Sequence, residues 1–284
     1  MSARLLELED GPDELRVVRS DFWGFNAIGV ASGGRACVVD PGIRPGDMQL
    51  LRDSLDGRVE EIVLTHSHHD HIRGWMRFPG ARVTMPRIAA EKPQDSRDRI
   101  LRAKRRIDEK LGVDDRSYEY PHADHVFDEH VAFELGELTV EAHFVPGHSN
   151  CTSVVLFPEL ATLCTADYLV SPGLPYCRWE ARAFEEATRT LRELCRERGV
   201  RRILPAHNAP IHGTDAIEAA FDEELSYFEV LRVEVERLHA EGESVDAIAA
   251  RAGRTMTERR GRDLGGRERQ DIDNARRVAL EYDE

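Results

Sequence analysis

Apolar positions come in short β-rich runs through the first forty residues. Arg16-Val17-Val18-Arg19, Ala27-Ile28-Gly29-Val30 and Ala36-Cys37-Val38-Val39 predict strands over 14–19, 25–31 and 35–39, with Ser32-Gly33-Gly34 as a turn. This is an opening antiparallel sheet, and it ends in the turn triplet Asp40-Pro41-Gly42. The period then changes. Met48, Leu51 and Leu55 recur at spacings of three and four, which predicts a helix over 47–56 stopped by Gly57. The apolar run Ile62-Val63-Leu64 returns to strand, and Arg82-Val83-Thr84-Met85 is another. Strand, helix, strand is the start of an α/β layer.

Residues 86–130 differ in character. A helix capped near Gln94-Asp95-Ser96 runs to Leu111, with Ile100, Ile107 and Leu111 inward and Gly112 as its stop. Seven of the fourteen residues from Arg97 to Lys110 are Lys or Arg, so this helix is basic within an acidic chain. A solvated charged face is one expectation; a lid meeting an anionic substrate is the other. His122, His125 and His130 follow and are expected at the surface.

Strands resume with Val131–Leu135 and Leu138–Ala142, whose alternation leaves one face wet. Ser153–Phe157 and Ala161–Ala166 follow, the last ending in Asp167. An amphipathic helix over 183–198 carries Phe184, Ala187, Leu191 and Leu194 on one face, and Arg202-Ile203-Leu204-Pro205 is a strand that ends at His207. A long helix over 215–240 places Ile217, Phe221, Leu225, Phe228, Leu231, Val235 and Leu238 at helical period. A short helix over 244–249 comes next. The Arg-, Asp- and Gly-rich tail over 255–284, with a short apolar helix at 275–282, is expected to be mobile or an arm against a second subunit, which allows a homodimer.

At 284 residues the chain suits one large domain with appendages. Its formal net charge of −14 argues against a phosphate-backbone partner and against an anionic membrane surface. It has no apolar run long enough to cross a bilayer and no apolar signal core at the N-terminus, so a cytoplasmic protein without a nucleic-acid or membrane partner is expected. Cys37, Cys151, Cys164, Cys177 and Cys195 are scattered, odd in number and never spaced Cys-x-x-Cys, which argues against a disulfide framework or a thiolate zinc site; Cys177 lies in a loop near the candidate site.

The chemistry is concentrated after the fourth predicted strand, Ile62-Val63-Leu64. Thr65-His66-Ser67-His68-His69-Asp70-His71 packs four imidazoles and a carboxylate into six positions. An extended backbone points residues two apart to one side, so His66 and His68 can chelate one ion. Imidazole and carboxylate suit zinc, iron or manganese. His69, between two such residues, is expected to face solvent. Three later elements also end in ligand types: Pro146-Gly147-His148, Ala166-Asp167 and Pro205-Ala206-His207.

That five-part order, with Asp40 in Val38-Val39-Asp40-Pro41-Gly42, resembles the metallo-β-lactamase fold superfamily over about residues 14 to 213. The resemblance implies an α/β fold, an αββα sandwich of two mixed β-sheets flanked by helices. Residues 1–213 would form the catalytic domain, with 86–130 as a helical insertion or lid, and 214–284 a C-terminal helical extension. It implies one metal on His66, His68 and His148, a second on Asp70, His71 and His207, and Asp167 bridging both. The pair would be two divalent ions, zinc first, and the hydroxide between them would attack an acyl substrate. Asp70 would orient that nucleophile, and Tyr176 would donate to the oxyanion; Tyr168, Tyr176 and Trp179 would line the pocket. The sequence departs from the family wording at Ala166, where glycine is usual. The C-terminal segment is similar to that of glyoxalase-II-like small-molecule hydrolases, which makes a thioesterase or esterase the first expectation. A lactonase, a mononuclear-iron persulfide dioxygenase using His66, His148 and Asp167, and a non-catalytic metal-binding module remain alternatives.

Overall fold

The order of strands in two sheets explains why distant motifs share one edge. The computed structural model describes residues 3–170, 174–260 and 267–282. The first sheet runs in chain order: β1 (Arg4–Leu5), β2 (Leu15–Arg19), β3 (Asn26–Ser32), β4 (Arg35–Val39), β5 (Arg58–Val63), β6 (Arg82–Pro86) and β7 (His125–Phe127). It is antiparallel as far as β4 and parallel from β4 to β7, because helices now carry the crossovers. Among these are α1 (Pro45–Ser54), α2 (Arg87–Ala90) and α3 (Gln94–Leu111). The second sheet has the order β13-β12-β11-β10-β9-β8, built from β8 (His130–Leu135), β9 (Leu138–Phe144), β10 (Ser153–Phe157), β11 (Thr162–Ala166), β12 (Arg202–Pro205) and β13 (Ile211–His212). Only β11 and β12 pair in parallel there.

Val17, Val30, Cys37 and Val39 face Val140, Val155, Phe157 and Leu204 between the sheets. The other face of the first sheet buries Val18, Val38, Ile62 and Val83 with Met48 and Leu51 of α1. Against the second sheet lie α4 (Ala181–Glu197), α5 (Thr214–Ala240), α6 (Val245–Arg260) and α7 (Glu268–Leu280). Their core joins Val154, Leu156 and Leu163 to Phe184, Phe228, Ile248 and Val278. The result is helix, sheet, sheet, helix, as expected.

Three expectations change. The helix foreseen over 244–249 continues to Arg260 through Gly253, because that glycine lets α6 approach α7: a Cβ there would lie 2.7 Å from the Ile272 Cα. The tail is packed rather than mobile where it is described, with Ala275, Val278 and Ala279 of α7 buried; residues 261–266, 283 and 284 lie outside the described residues. The basic helix is not simply a solvated face. Lys104 is buried, bonds Asp108 and Asp115 at 2.8 Å each, and sits 3.9 Å from the Tyr118 ring centroid. Arg73 joins the same network through Asp108. A buried cation is kept only with partners, so Lys104 is structural, while Arg99, Arg102, Arg105, Arg106 and Lys110 stay exposed.

Candidate metal centre

Parallel pairing of β4 with β5 and of β11 with β12 brings Asp40, the 64–71 loop, Asp167 and His207 to one edge of the two sheets. The sheets are stitched together there. Ser153 N donates to Thr65 O at 2.9 Å, and Asn26 N donates to Ala206 O at 2.7 Å. The β9–β10 loop adds His148.

Two groups of side chains converge at this edge. The first is His66, His68, His148 and Asp167; the second is Asp70, His71 and His207. In the first, His68 Nδ1 lies 2.9 Å from His66 Nε2 and 3.0 Å from His148 Nε2. Asp167 Oδ2 lies 3.0 Å from His148 Nε2. In the second, His207 Nε2 lies 3.3 Å from Asp70 Oδ2, and His71 Nε2 lies 3.9 Å from it. Asp167 joins them: its other oxygen, Oδ1, lies 3.1 Å from His71 Nε2 and 3.6 Å from His207 Nε2. Zinc–ligand bonds are about 2 Å, so nitrogens and oxygens 3–4 Å apart are spaced to share one ion.

The rest of the protein fixes which ring nitrogen faces inward. His148 Nδ1 donates to Tyr176 O at 2.6 Å, and His207 Nδ1 donates to Trp23 O at 3.2 Å. His71 Nδ1 donates to Asp40 Oδ2 at 2.7 Å. The Thr65 hydroxyl donates to the same Asp40 oxygen at 2.7 Å, so its lone pair is left to accept from His66 Nδ1 at 3.1 Å. Each of these four rings therefore presents a bare Nε2. Phe25 packs edge-on to both His71 and His207, with ring centroids 5.2 Å away in each case.

Electrostatics also suits cations. Burial holds His66 and His68 well below the usual imidazole range, with neighbouring histidines adding to it, so both rings are neutral. Burial would raise Asp70 and Asp167, yet the surrounding imidazoles, His71 first, hold both carboxyls well below their usual range. Burial would likewise lower His71 and His207, and the carboxylates, Asp167 first, raise both instead. Among the described residues, the buried atoms His71 Nε2 and Asp167 Oδ1 make no hydrogen bond. Buried polar atoms of a folded protein are otherwise satisfied. Neutral His66 and His68, ionised Asp70 and Asp167, and these two orphaned atoms together fit a divalent metal pair.

All seven residues of the expected ligand set are thus brought together. Other expectations shift. The Tyr176 hydroxyl is not among the converging groups: it donates to Asp273 Oδ2 at 2.9 Å, and the residue serves the site through its carbonyl. Tyr168 is fully buried and lines no opening. It braces the His148 turn, donating to Val145 O at 2.8 Å and accepting from His148 N at 2.9 Å. Gly147 leaves room for it, since a Cβ there would lie 2.6 Å from that hydroxyl. His69 is not solvent-facing; its ring leans on Trp23 at 5.8 Å between centroids. The Cys177 thiol is buried and pushed up to about 12, which removes it as a nucleophile. Asp40 does more than end a turn, because it holds both Thr65 and His71. Strain gathers here as well: Trp23, Asp40, Ala166, Leu169 and Asn208 all have positive φ. At Ala166, φ is 50°, which supplies the reason for a glycine preference at that position.

A family model of the metallo-beta-lactamase superfamily matches residues 22–207. The chain belongs to that superfamily. A metallo-beta-lactamase from Pontibacter korlensis superposes with a TM-score of 0.56 at 16% identity, covering 78% of this chain and 98% of that one. The stereoselective inverting sec-alkylsulfatase Pisa1 from Pseudomonas sp. superposes with a TM-score of 0.71 at 16% identity, covering 99% of this chain and 50% of that one. At such identities these two likenesses show the fold alone. A hydroxyacylglutathione hydrolase from Stenotrophomonas maltophilia (strain R551-3) is 47% identical over 57 residues, which is 19% of this chain and 22% of that protein. The match thus spans about a fifth of the curated relative's length.

Proposed function

We propose that this superfamily member is a hydrolase of a small acyl substrate, a thioester or ester, working with two divalent cations, zinc first. In this reading His66, His68 and His148 hold one cation, Asp70, His71 and His207 hold the other, and Asp167 serves both. One observation carries it. The two oxygens of Asp167 point to separate groups, 3.0 Å from His148 Nε2 and 3.1 Å from His71 Nε2. A centre using only His66, His148 and Asp167 would leave Asp70, His71 and His207 converging on nothing. The local likeness to a hydroxyacylglutathione hydrolase, whose name denotes an acylated glutathione, favours a thioester.

When bound, such cations activate water near neutral pH and polarise a carbonyl. The chain's own groups do the rest. Asp40, Thr65 and the carbonyls of Trp23 and Tyr176 keep the ligand rings in one tautomer. In this reading Asp70, held ionised beside His207, would orient the attacking water. Trp23, 46% exposed, leans on His69 of the ligand loop. The substrate is a small molecule; the acidic balance disfavours nucleic acid, and no helix among the described residues is long and apolar enough to cross a membrane. We place the protein in the cytoplasm.

The test is metal quantification after anaerobic purification, coupled to turnover of a panel of thioesters, esters, lactones and phosphodiesters. Turnover of thioesters or esters by a two-metal form is expected. One iron per chain with oxygen uptake on a persulfide, or turnover of phosphodiesters alone, would overturn the reading.

A further inference from the structure

We propose that His130, Glu141 and His143 form a separate site for one borderline divalent cation, of the zinc, copper or nickel class, on the outer face of the second sheet. The pairing register sets His130 directly opposite His143 across the antiparallel β8 and β9. Their rings lie 4.6 Å apart between centroids. Val131 and Phe133 of β8, and Val140 and Ala142 of β9, point into the core between the sheets, so the alternate positions point away from it. Glu141 is two residues before His143 and shares that outer face. Its Oε2 lies 3.1 Å from His143 Nε2 and 4.0 Å from His130 Nε2. One ligand atom from each of the three lies within 4.8 Å of the others.

Two imidazoles and one carboxylate are the donors that zinc, copper and nickel prefer. The strands fix their spacing before any ion arrives, so little ordering is left to oppose binding. His143 is partly buried, and its Nε2 already faces the Glu141 carboxylate. Arg198, at the end of α4, holds the carboxylate from another side, with Nη2 2.6 Å from Oε1 and Nη1 2.9 Å from Oε2. A ligating carboxylate is commonly oriented by such a partner. The guanidinium charge also opposes a cation, so this site is weaker than the buried centre. The two share no residue, and the inference stands whether or not the chain is a hydrolase.

The test titrates the full chain with zinc or copper ions alone at pH 7.5, following ion content after dialysis and the copper electron-paramagnetic signal. The parent is expected to take up one ion more per chain than His130→Ala/His143→Ala, and the parent-minus-variant copper difference spectrum is expected to show a two-nitrogen signature. His130→Ala alone, at an exposed strand position, keeps the fold and is expected to weaken this ion at least 10-fold. A His66→Ala/His68→Ala variant is expected to retain the signature. Equal ion content and equal copper spectra in parent and double variant would overturn the proposal.

Discussion

Replacing Asp40 by asparagine tests whether the second group depends on its support from behind. Asp40 makes three contacts with the ligand loop: Oδ1 accepts from Thr65 N at 2.9 Å, and Oδ2 accepts from Thr65 Oγ1 and His71 Nδ1 at 2.7 Å each. Asparagine is nearly isosteric and keeps the first contact. Its amide nitrogen cannot accept from His71 Nδ1–H, so that charge-assisted bond is lost, at a cost of about 1.5–3 kcal/mol. Through the ligand equilibrium this corresponds to about 10–100-fold weaker binding of the ion beside His71. The ion on His66, His68 and His148 should weaken less, since among those rings Asp40 reaches only His66, and only through the Thr65 hydroxyl. Competition against a graded chelator, read ion by ion, measures both affinities, and circular dichroism checks the fold. Uniform weakening of both ions, or no change in either, would refute the assigned role.

Three further outcomes follow from the same geometry. Ala166→Gly relieves a positive φ of 50° and is expected to stabilise the chain by roughly 0.5–1 kcal/mol, where an ordinary strand alanine would lose stability; urea unfolding decides the sign. Tyr168→Phe removes a buried hydroxyl that bonds both Val145 O and His148 N, so about 1–3 kcal/mol of stability should go, with turnover falling as the His148 turn loosens. Wild-type stability or turnover would contradict that. Glu224 is buried and raised to about 8, while its Oε2 accepts from Leu169 N at 2.9 Å. A carboxyl raised by folding contributes stability that is full below its unfolded value near 4.5 and is lost as pH climbs to 8. Glu224→Gln should therefore flatten stability over that window and be the more stable form at pH 8; an unchanged pH profile would show the shift to be absent.

How legible was this molecule in its sequence? The converging ligands were, because each sits at a strand end or in the loop just beyond one, where chemistry-bearing residues stand out from apolar runs. The long helices were too, since a 3.6-residue period needs only length to show. Short elements escaped: His125–Phe127 is a strand of three residues that no alternation can reveal. The continuation of the 244–249 helix through Gly253 also escaped, because sequence does not show the Ile272 backbone packed against that glycine. Tyr176 bears on the centre in a way that sequence cannot show. Its contribution is a backbone carbonyl, which every residue has, while its hydroxyl belongs to a contact with α7 some ninety-seven residues away. Glu141 and His143 carried no signal, because their partner His130 is defined by cross-strand register and not by spacing.

The central claim is that Asp167 joins two cation sites rather than one. Ion content per chain after dialysis tests it most directly, measured in the His130→Ala/His143→Ala background so that only the buried ligands are counted. Two divalent ions per chain are expected there, falling to one when His207→Ala is added while the ion on His66, His68 and His148 stays. A single ion in that background, unaltered by His207→Ala, would contradict the account.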